Sequence, residues 1–192
     1  MPQHQPKDAG YAYQCIHDFF DCYHMNSAIK ELENILQAAC VPTSWQVSAP
    51  AEQLFFIKQL GKLCKAAFFI RHSKDKKPGA VLGKNPGEEF PAMMQPADFS
   101  NSTTPARIWE CMPRNLTARQ YLDPYKAVKK FTKQYSYKQW RNNLDSLFEY
   151  AFSNAAMDKE DEYSAADILA IRKGVLQLLE ACHLIEVRTY KK

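Results

Sequence analysis

Residues 117–153, TARQYLDPYKAVKKFTKQYSYKQWRNNLDSLFEYAFS, decide the fold class. Thr117 with Gln120 and Ser136 with Gln139 stand three residues apart, the spacing at which a hydroxyl and an amide satisfy each other's orphan backbone N–H groups at a helix start. Asp123-Pro124 adds a further start, an N-cap side chain followed by a ring that pre-sets φ at the first helical position. The stretch therefore predicts helices over 117–122, 124–134 and 137–153. The last of these would bury Trp140, Leu144, Leu147, Phe148 and Ala151.

Downstream, an acidic connection from Asp158 to Glu162 leads to Ser164, which can cap a final helix with Ile168, Leu169, Ile171, Val175, Leu178, Leu179 and Cys182 on its stripe. Leu184, Ile185, Val187 and Tyr190 then suggest an extended tail packed on the helices, because no partner strand is evident elsewhere.

Upstream, residues 73–105 hold Pro78, Pro86, Pro91, Pro96 and Pro105 with Gly79, Gly83 and Gly87, which forbids any long regular element. A stretch of this length reads as a lid, a binding loop or a linker. Before it, apolar spacings of three and four give a helix over about 11–23 (Ile16, Phe19, Phe20, Tyr23). A second follows Ser27 (Ile29, Leu32, Ile35, Leu36, Ala39), and a third spans 51–72 with a wide arc including Leu54, Phe55, Leu60, Leu63 and Ile70. The expectation is an all-α bundle of six to seven helices in one helical domain, 1–192. Its sub-units would be 1–72 and 106–192, joined by the Pro-rich loop 73–105.

The bulk numbers agree with a folded chain. At 192 residues and 46% hydrophobic, it can bury a core without metal or disulfide support. Six cysteines, Cys15, Cys22, Cys40, Cys64, Cys111 and Cys182, are read as reduced thiols. The start MPQHQPKDAG has no secretory pattern, so the expected compartment is the cytoplasm. No apolar run is long enough to span a bilayer, so no membrane contact is expected.

Two constellations could carry chemistry. CIHDFFDCYH, residues 15–24, offers two Cys and two His, a tetrahedral zinc set. On a helix advancing about 100° per residue, the Cys15/Cys22 stripe lies about 160° from the His17/His24 stripe, so the four cannot converge. His17, Asp21 and His24 survive that test, since i, i+4 and i+7 share a face. They could hold a divalent metal if another helix gave a further ligand, with His72 and His183 as the remaining imidazoles. The alternative is an ordinary polar face.

The second constellation is basic. Between Pro113 and Arg141 stand eight Lys and Arg against Asp123 alone, a net +7 in a chain whose total is +4. Lys126, Lys129, Lys130, Lys133, Lys138 and Arg141, interleaved with Tyr121, Tyr125, Phe131, Tyr135, Tyr137 and Trp140, fit the mixture that grips phosphates and stacks bases. If helical, the same residues split into an aromatic core side and a wet lysine side. No phosphate-binding Gly-rich loop, His-Glu-x-x-His, Cys-x-x-Cys or nucleophile elbow is present. Three functions are thus expected in turn: a non-catalytic interaction or regulatory protein with a protein partner, a nucleic-acid or phosphate binder acting through 113–141, and a metal-dependent enzyme using His17, Asp21 and His24.

Overall fold

A computed structural model describes residues 9–41, 50–72, 76–82, 111–153 and 163–190. Within them run seven α-helices: α1 (Ala9–Cys22), α2 (Met25–Cys40), α3 (Pro50–His72), α4 (Ala118–Leu122), α5 (Tyr125–Gln134), α6 (Tyr137–Phe152) and α7 (Ala165–Thr189). A single 3₁₀ turn, Pro78–Ala80, is the other regular element, and no strand occurs among the described residues. The all-α expectation holds. Most of the 73–105 stretch lies outside the described residues, as does Trp45.

The start signals act as their chemistry requires. Thr117 and Ser136 form capping boxes with Gln120 and Gln139, and Ser164 forms a third with Asp167. At Asp123-Pro124 the Asp123 carboxylate accepts the Tyr125 N–H at 3.1 Å, while Pro124 already has helical dihedrals. Ser27, by contrast, does not cap α2. That helix begins two residues earlier at Met25, whose side chain is fully buried, so apolar burial at the first position outweighs a hydroxyl cap.

α7 is the axis of the bundle. Every residue from Gly174 to Ile185 is buried, as expected for a helix surrounded on all sides. α1, α2, α5 and the 3₁₀ turn pack on it, α3 packs on α1, α5 and α6, and α2 packs on α6. Residues from α1, α2, α3, α5, α6 and α7 join one apolar cluster, so helices from both sides of the Pro-rich stretch share buried contacts.

Two details of the sequence reading are corrected. The segment 184–190 is not an extended tail: α7 continues through it to Thr189, and Leu184, Ile185 and Val187 are buried. Packing around the whole helix overrides the β-branched local preference. Leu169 is 61% exposed, and on α3 Leu54 and Phe55 face out while Phe56 is fully buried. An apolar arc that wide does not fix the helix's rotation; its neighbours do.

The irregular pieces are tied to α7 by buried polar groups. The Glu180 carboxylate accepts the Arg114 and Asn115 backbone N–H groups at 2.9 and 2.8 Å and the Asn115 side-chain amide at 2.7 Å. Burial still pushes its pKa above the usual carboxylate range, against the pull of those hydrogen bonds. Arg188 donates to the Ala80 and Tyr121 carbonyls at 3.1 and 2.7 Å and lies over the Tyr121 ring. The Tyr13 and Tyr125 hydroxyls, 2.8 Å apart, both receive the Lys77 N–H, and the Lys77 ammonium sits over Tyr13 and Tyr190. Charge in this interior is structural: it holds loop backbone that has no helical partner of its own.

Candidate functional site

The basic segment divides into a core side and a solvent side. On α5, Tyr125, Ala127, Val128, Phe131 and Thr132 are buried, while Lys126, Lys129, Lys130 and Lys133 are exposed. Spacings of three, four and seven put these four ammonium groups along one face about 10 Å long. Lys130 donates to the Gln177 side chain at 3.2 Å. Among the described residues, no carboxylate lies within ion-pair distance of any of the four. Lys138 and Arg141 belong to α6 instead, both exposed, with Arg141 3.5 Å from Asp145.

The interleaved aromatics do not face solvent with the lysines. Tyr121, Tyr125, Phe131 and Trp140 are buried. Phe131 stacks on Trp140 with centroids 4.1 Å apart, Tyr135 meets the Trp140 ring edge-on, and Tyr137 packs edge-on to Phe68. The segment therefore offers cations to a partner but no row of open rings on which bases could stack.

His17 and Asp21 lie on α1, which packs on α7, whereas His24 falls beyond the end of α1 as the N-cap of α2, so the three do not share one helix face. His17 Nδ1 is 2.7 Å from the Glu186 carboxylate, and its ring stacks on Tyr190 at 4.9 Å. The hydrogen bond to Glu186 raises the His17 pKa above its ordinary value. Asp21 and His24 are exposed. His183 faces the same seam from α7, with the Phe20 ring edge-on at 5.1 Å. Burial, with a smaller contribution from His24, lowers its pKa to about 4, and among the described residues its Nδ1 has no hydrogen-bond partner. No three His, Cys, Asp or Glu side chains gather closely enough to hold an ion among the described residues. The His72 side chain is outside them.

Glu186 and Tyr190 are the residues that sequence reasoning missed at this seam. The signal was present, since 183, 186 and 190 repeat at helical spacing. An extended tail would have placed Glu186 on no fixed face, so the misread secondary structure hid the pair.

Two hollows remain. One, of about 360 Å³, is polar and lies between α6 and the start of α7, where Tyr163 donates to Asn143. The other, of about 400 Å³, runs between α3 and α6 with Tyr11 of α1 among its lining residues.

Comparison with protein-family models, with curated proteins and with solved structures gave no match.

Proposed function

We propose that this protein is a non-catalytic interaction protein whose protein partner presents an acidic face to the lysines of α5. The observation that carries the reading is the row Lys126, Lys129, Lys130 and Lys133, exposed on one helix face with no carboxylate counter-charge among the described residues. Four like charges within about 10 Å repel one another, and an acidic surface seated on them relieves that repulsion. Tyr121, Tyr125, Phe131 and Trp140 are buried and Tyr135 and Tyr137 are half-buried, so the lysines are offered as charges without a row of open rings beside them. This favours an acidic protein over a single-stranded nucleic acid; phosphate contact to a duplex backbone is the second reading, supported by the net +7 of residues 113–141. The cysteines carry no disulfide, which suits a reducing cytoplasm. His17, Asp21 and His24 are not proposed as a metal centre, because His17 is engaged with Glu186 and Tyr190.

The test is retention on heparin across a salt gradient. Wild type is expected to bind and to elute with salt, and the triple variant Lys126→Glu, Lys130→Glu, Lys133→Glu to flow through with unchanged melting. Intact retention of that variant would overturn the reading. Competition by polyglutamate, weighed against competition by duplex DNA, separates the acidic protein from the nucleic acid.

A further inference from the structure

The groove between α3 and α6 has a composition that the α5 face lacks. Its floor is apolar, from Ile57, Cys64, Leu144 and Phe148, with Tyr11 and Tyr137 beside it. Its rim is cationic: Lys58 and Lys62 of α3 have no carboxylate within ion-pair distance among the described residues, Lys65 lies over the Phe69 ring at 5.9 Å, and Arg141 of α6 faces Asp145 at 3.5 Å. Gly61 lies between Lys58 and Lys62, and a Cβ built on it meets no atom within 4 Å, so the α3 wall is open at its middle. One turn before Lys58 on α3, Leu54 is 52% exposed.

We propose that this groove docks an acidic amphipathic helix of a partner protein. Two features select that occupant. Lys58 and Lys62 stand one helical turn apart on the rim, the repeat at which a second helix displays a row of carboxylates on one face. The apolar floor, about 400 Å³ in volume, takes two or three aliphatic side chains from the adjoining face of such a helix. A small amphiphile with one anionic head would neutralise one of Lys58 and Lys62 and leave the other. The site is separate from the α5 lysines and stands or falls without them.

The experiment is fluorescence anisotropy of the full chain with a designed helical peptide of about four turns. It carries leucines at one-turn spacing and glutamates flanking them; two controls replace the glutamates by lysine or the leucines by serine. Saturable binding of the first peptide alone is expected. Gly61→Leu fills the open wall and should weaken binding about tenfold or more, while melting at or above wild type, because a helix-interior glycine gives way to a strong helix former. Lys58→Glu with Lys62→Glu should weaken it similarly and flatten its salt dependence. The triple variant of α5 should bind the peptide as wild type does. The proposal is overturned if the peptide does not bind, if the lysine control binds equally, or if Gly61→Leu binds unchanged. It is also overturned if sedimentation shows that the chain self-associates and Gly61→Leu abolishes that association, since the occupant would then be a second copy.

Discussion

Trp140 of α6 lies directly against Gly174 of α7: a Cβ added to Gly174 would stand 2.6 Å from the indole Cη2 and 3.0 Å from Cζ2. The ring cannot retreat. Its Nε1 donates to the Phe131 carbonyl at 3.0 Å, one face stacks on Phe131, and the indole is fully buried.

Gly174→Ala should therefore destabilise the fold by about 1–3 kcal/mol, the cost of overpacking a tight core, even though alanine is the better helix former. Gly61→Ala, in open space on α3, should stabilise by up to about 1 kcal/mol. Urea midpoints of the two variants test the contrast. A Gly174→Ala protein as stable as wild type would mean that the helices are not in this contact.

Glu180 holds three donors of residues 114 and 115. Glu180→Ala strands them, and each buried donor left without an acceptor costs about 1–3 kcal/mol unless water reaches it. Amide exchange should accelerate first at Arg114 and Asn115. Loss of protection spread evenly over the molecule would argue that Glu180 does not hold this loop in particular.

His183 makes stability depend on pH in a calculable direction. Its folded pKa, about 4, lies below the ordinary value of 6.5. The unfolded chain thus binds the extra proton first, and stability falls as pH drops from about 6.5 to about 4, by about 3 kcal/mol at most. His17 and Glu180 work the other way. Each has a raised pKa, so the stability it contributes is present at low pH and is lost as pH rises through its folded value. The His17 side chain is 41% exposed, so solvent screens the pair and its share is small. His183→Leu isolates the first effect: its stability relative to wild type should rise as pH falls from 6.5 to 4. Parallel curves for the two proteins across that range would refute the assignment.

Thiol chemistry should rank the cysteines by burial. Cys22 is exposed, whereas Cys64 and Cys182 are buried, with burial pushing the Cys64 thiol up to about 12 and raising that of Cys182 as well. A maleimide reagent at neutral pH should label Cys22 rapidly and reach Cys64 and Cys182 only on unfolding. Mass spectrometry of the labelled peptides reads this directly, and early modification of Cys182 would place α7 at the surface rather than the axis.

The split of residues 113–141 into a wet lysine side and an aromatic core side was already contained in their periodicity. Lys126, Lys130 and Lys133 fall away from Tyr125, Val128 and Phe131 whatever α5 packs against. The His17–Glu186 pair was not legible in that way, because its partners are 169 residues apart and meet only when α1 lies on α7. The α3–α6 groove was equally hidden: the apolar arc on α3 put Leu54 and Phe55 inward, whereas the packed helix turns them out and buries Phe56.

From the residue order alone came the helices, their capping boxes at Thr117 and Ser136, and the amphipathic character of α5, since each depends on neighbours within a turn or two of chain. Only the packed arrangement decided that α7 runs on to Thr189 at the axis, that Gly174 admits Trp140, and that three lysines of α3 border a hollow beside α6. The physical reason is the range of the forces involved. Hydrogen bonds and side-chain periodicity act along a few residues, whereas the rotation of a helix and the surfaces it buries are fixed by the sum of dispersion and hydrophobic contacts with helices distant in the chain.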